Sequence, residues 1–207
     1  AKGIELFMDA LCHKNCNVTH LVYIGSASRE TFELPKLYKI PRLTSLDLSG
    51  FPMNKFRGDV LNKCERLVRL VLPLRRDHHA LSQSLFNAVM NLPKLLSVTN
   101  LVLADYYEDI LDEQERFRTW LCTSKIKSLH VIIACKIADR SRDWRGGRYF
   151  HVDVDGIFKD WFRDWHEAKY LQTLHVDSDN LVNDEDIEIF FTKLPKTLRK
   201  LDFNNGN

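Results

Sequence analysis

The chain has no apolar run approaching the roughly 18 residues that a membrane-crossing helix needs. It also shows no charged-then-apolar leader, so neither a span nor a secretory signal is expected. Glycine is scarce: of eight, only Gly146 and Gly147 adjoin, which leaves no glycine loop to cradle a phosphate. GxSxG and HExxH are absent too, so neither a serine-elbow hydrolase nor a helix-borne zinc protease is indicated, and no enzyme or cofactor is expected. Five cysteines, Cys12, Cys16, Cys64, Cys122 and Cys135, form an odd set without paired spacing. That is a poor disulfide framework and points to a reducing, intracellular compartment, cytoplasmic or nuclear. Cys12 and Cys16 with His13 and His20 make half a zinc site, but no second pair follows, and no metal is expected. A net charge of +2 gives no overall attraction to nucleic acid.

What the chain does have is repetition. "LTSLDL" from Leu43 has apolar side chains spaced apolar-x-x-apolar-x-apolar, and the spacing recurs in "VTHLVY" from Val18, "LVRLVL" from Leu67 and "VTNLVL" from Val98. It appears again in "IKSLHV" from Ile126, "LQTLHV" from Leu171 and "LRKLDF" from Leu198. Consecutive starts lie 25, 24, 31, 28, 45 and 27 residues apart, so one long interval interrupts a regular period. The alternation predicts a short strand with one apolar face, which must stack in a parallel sheet and return by an outer path.

Amphipathic segments supply that path. Leu81, Leu85, Phe86 and Val89 recur at helical spacing, as do Ile157, Phe158, Trp161, Phe162 and Trp165, and Ile187, Phe190, Phe191 and Leu194. "DGIFKDWFRDW" and "NDEDIEIFF" open on residues suited to capping a helix. The carboxylates Asp105, Glu108, Asp109, Asp112, Glu113 and Glu115 are expected on the solvated face of a further helix. An ordinary α/β protein of βαβ units spaces its strands similarly and is the competing reading.

From Val18 to Phe203 the sequence resembles the leucine-rich repeat family of the irregular, intracellular, helix-containing type. Ser49-Gly50, Pro73-Leu74, Ala104-Asp105 and Ala134-Cys135 stand where regular repeats place an asparagine or cysteine turn. The resemblance implies an α/β solenoid, a curved parallel sheet with outer helices, of about seven repeats in a single domain over 1–207, expected to be a piece of a longer protein. Among such proteins the chain is similar to substrate receptors of cullin-type ubiquitin ligases, including F-box proteins and ZYG-type receptors. That implies capture of a partner protein or peptide on the concave face, with an adaptor bound outside this chain.

The wet strand positions of that face follow from the motif. The candidate partner-binding residues are Val22, Asp47, Arg69, Val71, Val102, His130, Ile132, His175, Asp177 and Asp202. Exposed valines and isoleucines there would need a cover, which a partner provides. His130, His175 and Asp202 hold one position in successive units and should form a ladder about 4.8 Å apart; with no third close ligand assured, the ladder predicts no metal. The long interval predicts an insertion loop over 137–152, where Arg140, Arg142, Arg145 and Arg148 interleave with Trp144. Such a mixture suits phosphate contact and base stacking, so RNA or ribonucleoprotein binding through this arm is the alternative to a protein partner.

Overall fold

In the computed structural model, residues 2–23, 37–51, 58–73, 83–104, 110–134, 161–179 and 184–206 are described. Helix α1 (Lys2–Leu11) precedes β1 (His20–Val22), β2 (Ser45–Asp47) and β3 (Arg69–Val71). There follow α2 (Gln83–Met90), β4 (Ser97–Ala104), α3 (Ile110–Thr123), β5 (Ser128–Ala134), β6 (Thr173–Asp179), α4 (Asp184–Thr192) and β7 (Lys200–Gly206). Short 3-10 segments stand at Leu37–Lys39, Gly58–Lys63 and Trp165–Glu167. No helix among the described residues is long and apolar enough to cross a membrane. The predicted insertion over 137–152 lies outside the described residues.

The protein is α/β, with one parallel sheet of seven strands in chain order from β1 to β7. Each strand falls where a motif predicted it. Leu21, Leu46, Leu70, Val98, Leu129, Leu174 and Leu201 pair in one apolar row across all seven strands. The five inner members are buried, whereas Leu21 and Leu201 are only partly covered, because a strand at either end of the row has a neighbour on one side alone. A second row, Leu101, Val131, Val176 and Phe203, runs beside it on the same face.

Between units the backbone repeats one arrangement. The carbonyl of Thr19 accepts the amides of both Thr44 and Ser45, that of Thr44 accepts Val68 and Arg69, and that of Val68 accepts Leu96 and Ser97. The step recurs at the carbonyls of Leu96, Lys127 and Gln172, with N···O distances of 2.7 to 3.1 Å throughout. These residues occupy the two-residue gap between the first and second apolar positions, so the longer gap is where the chain makes the step. It also satisfies backbone donors that the short strands would otherwise leave unpaired beneath their neighbours.

This alignment corrects the fourth unit. Ser97 pairs with Arg69 and Ser128, so the unit begins at Leu95, not Val98, and Val98 takes the second apolar place. One extra residue then intervenes before Leu101. The register shifts between Val98 and Leu101, and Asn100 adopts φ 63°, the left-handed conformation that asparagine tolerates better than most side chains. Asn100 is buried and donates Nδ2–H to the Leu72 carbonyl at 2.9 Å.

Helix residues complete the core. Leu85, Phe86, Ala88 and Val89 of α2 and Phe190 of α4 join the strand leucines in one cluster. Phe117 of α3 sits among Trp120, Trp161 and Trp165, with ring centroids 5.5 to 5.9 Å away. Trp165 offers its indole N–H to the Trp161 carbonyl at 2.7 Å, which satisfies the one polar atom of a buried ring. Glu113 departs from expectation. It is buried because it lies one turn before Phe117 and two before Trp120, on the inner stripe of α3, whereas Asp112 and Glu115 are exposed.

Two outcomes are expected from this architecture. Asn100→Gly keeps the left-handed backbone and loses only the bond to Leu72, costing about 1 kcal/mol in urea unfolding; Asn100→Ala should cost about 1 kcal/mol more, because a Cβ strains that backbone. Burial pushes the Cys64 thiol up from 9.0 to about 11. The folded state therefore keeps the thiol protonated while the unfolded chain ionises, and that contribution is complete below pH 9 and is lost as pH rises toward about 11. Unfolding free energies over that window, compared with Cys64→Ala, should differ by at most about 3 kcal/mol.

Candidate functional site

Strand alternation sets which side chains oppose the core. In β6, Leu174 and Val176 are buried, so His175 and Asp177 emerge together on the other face. Register then places His130 of β5 beside His175, and His175 beside Asp202 of β7. The next row sets Val102, Ile132, Asp177 and Asn204 side by side. The ladder of His130, His175 and Asp202 expected from the motif is thus present in register.

Its chemistry is richer than the ladder alone. His130 Nε2 lies 2.9 Å from Asp177 Oδ2, and His175 Nε2 lies 3.0 Å from Asp177 Oδ1. The opposite nitrogen of His175, Nδ1, lies 2.9 Å from Asp202 Oδ2. Asn204 donates Nδ2–H to Asp177 Oδ1 at 3.2 Å. The two imidazole rings approach with centroids 4.2 Å apart at an interplanar angle of 58°. Burial pushes the Asp177 carboxyl up, but hydrogen bonds with His175, His130 and Asn204, with the charge of His175, outweigh it and hold Asp177 below the usual carboxylate value. Among the described residues, His130, His175 and Asp177 are the group of nitrogen and carboxylate donors close enough to share a metal ion. Among the described residues, Cys12 and Cys16 join no such group.

The remaining sequence candidates fall in different places. Val22 is 56% exposed on the end strand β1, and Arg69 is exposed on β3. Asp47 is half-buried and accepts the Ser49 amide at 2.9 Å, so its carboxylate shapes the turn after β2. Val71 and Val102, expected to be exposed, are buried, and Ile132 is partly buried. Strands pack about 4.8 Å apart, so a β-branched side chain flanked on both sides loses most of its exposure, while Val22 has a flank on one side only. The apolar patch expected on this face is therefore largely absent, and its polar end stands out. Arg140, Arg142, Trp144, Arg145 and Arg148 lie outside the described residues.

The bridging role of Asp177 escaped the motif count because that count aligned single positions across units. The signal was the pair His175-x-Asp177 beside Asp202-x-Asn204, two polar residues two apart in adjacent repeats. Comparison with family models, with curated proteins and with solved structures found no match to this chain.

Because one carboxylate serves both imidazoles, replacing His130 and His175 by Ala singly and together should give non-additive losses of stability. A coupling free energy of at least about 0.5 kcal/mol is expected in a denaturant double-mutant cycle. Simple additivity would show that the rings act separately.

Proposed function

We propose that the chain is a leucine-rich repeat solenoid of about seven units that captures a partner protein or peptide on the sheet face bearing His130, His175, Asp177 and Asp202. Support for the solenoid comes from strand order. Stacked repeats add each strand beside the last, as β1 to β7 do, whereas doubly wound sheets reverse direction at a switch point. Support for the binding face is the concentration of polar side chains over β5, β6 and β7, opposite a face whose leucines, valines and Phe203 pack on the core. A surface with carboxylates at Asp177 and Asp202 and an amide at Asn204 suits a partner segment that presents a basic or hydrogen-bond-donating side chain.

The resemblance to receptors of cullin-type ubiquitin ligases gives this capture a destination: the partner is a substrate, held for ubiquitin transfer while an adaptor binds outside this chain. That step rests on likeness of repeat type.

Affinity capture from native lysate, with and without nuclease, separates the readings. A nuclease-resistant protein partner that is lost with Asp202→Lys is the expected result, and co-recovery of cullin adaptors would support the receptor reading. Asp202 is exposed, so this substitution should leave the fold intact. Loss of every partner after nuclease would replace protein capture with RNA binding. Partner binding unaffected by Asp202→Lys would move the site off this face.

A further inference from the structure

We propose that His130, His175 and Asp177 form a binding site for one divalent transition-metal ion of the zinc type, with a fourth position open to solvent. This does not depend on partner capture.

Donor set and separation carry the proposal. The ligating atoms of the three side chains all lie within 4.8 Å of one another, on neighbouring strands whose ladder is continuous on both sides of the histidines. Two imidazole nitrogens with one carboxylate suit zinc and its neighbours in the first transition row, whereas calcium and magnesium prefer an all-oxygen shell. With bonds near 2.1 Å, adjacent tetrahedral ligands sit roughly 3.4 Å apart. The Asp177 oxygens are 2.9 and 3.0 Å from the two Nε2 atoms, near that spacing.

The surroundings are arranged as an outer shell would be. Metal-bound histidines commonly donate their second ring N–H to a carboxylate, which fixes the tautomer and points the free lone pair at the ion. Asp202 stands in that place, 2.9 Å from His175 Nδ1. Asn204 in turn donates to Asp177 Oδ1 and fixes the carboxylate. Beneath the site, Leu129, Val131, Leu174 and Val176 are buried, so both ligand strands rest on the core and hold their spacing.

The test is isothermal titration of chelator-treated protein with zinc chloride, alongside calcium and magnesium chlorides. One zinc per chain is expected, with no heat from the other two ions. His130→Ala or Asp177→Asn should abolish the stoichiometric phase, and Asp202→Asn should weaken affinity by about 10-fold. Cys12→Ser with Cys16→Ser should leave it unchanged. Because a variant could be misfolded, wild-type histidine nitrogen NMR provides an independent measure: zinc should shift Nε2 of both rings and leave Nδ1 of His175 hydrogen-bonded. Absence of stoichiometric zinc binding, equal binding of calcium, zinc binding that survives His130→Ala and Asp177→Asn, or its loss in the cysteine variant would each overturn the proposal.

Discussion

One backbone carbonyl taking two successive amides of the next unit, repeated at six junctions from Thr19 to Gln172, is the constraint on which the rest of the structure depends. It fixes the register of every parallel pair at the point where a strand begins. Side chains then have no freedom in which neighbour they meet: the residue two past the first apolar position always lines the same row, from His20 to Lys200. Short strands of three residues, such as β1, β2 and β3, could not set register by ladder length alone. The repeated step does it for them, and a slip of one residue would turn every buried leucine outward.

From that register come both the core and the polar face. Rows of leucine and valine close over the helix residues Phe117, Phe190, Trp161 and Trp165, while the same alternation sends His130, His175, Asp177 and Asp202 to the opposite side. The fourth unit shows how firmly the rows are held. Its extra residue does not shift the sheet. It is absorbed at Asn100 as a local bulge, with the side chain bonded to Leu72, so that Leu101 returns to the row of Val131. A left-handed asparagine is less costly than a displaced row of buried side chains.

Much of this was readable in the chain. The apolar spacing predicted every strand and the parallel order, and period two predicted the His130, His175 and Asp202 ladder. Three particulars were not. Val98 and Leu101 both fit the pattern, and spacing alone could not show that one residue between them bulges. Val71 and Val102 occupied wet positions by count, but burial depends on what flanks a side chain as well as on which way it points. Glu113 read as solvated because charge outweighed its place on the inner stripe of α3.

Sequence by itself determined the periodic elements, because a repeated apolar spacing leaves one solution for burying one side of a short strand: the next strand alongside. It also determined which histidines share a row. Only the tertiary structure decided that Asp177 bridges both imidazoles and that Asp202 and Asn204 support it from β7. Those contacts join residues up to 47 positions apart, and depend on side-chain direction within a row and across to the next. Spacing along the chain counts positions, whereas a bond between side chains depends on where their last atoms come to rest.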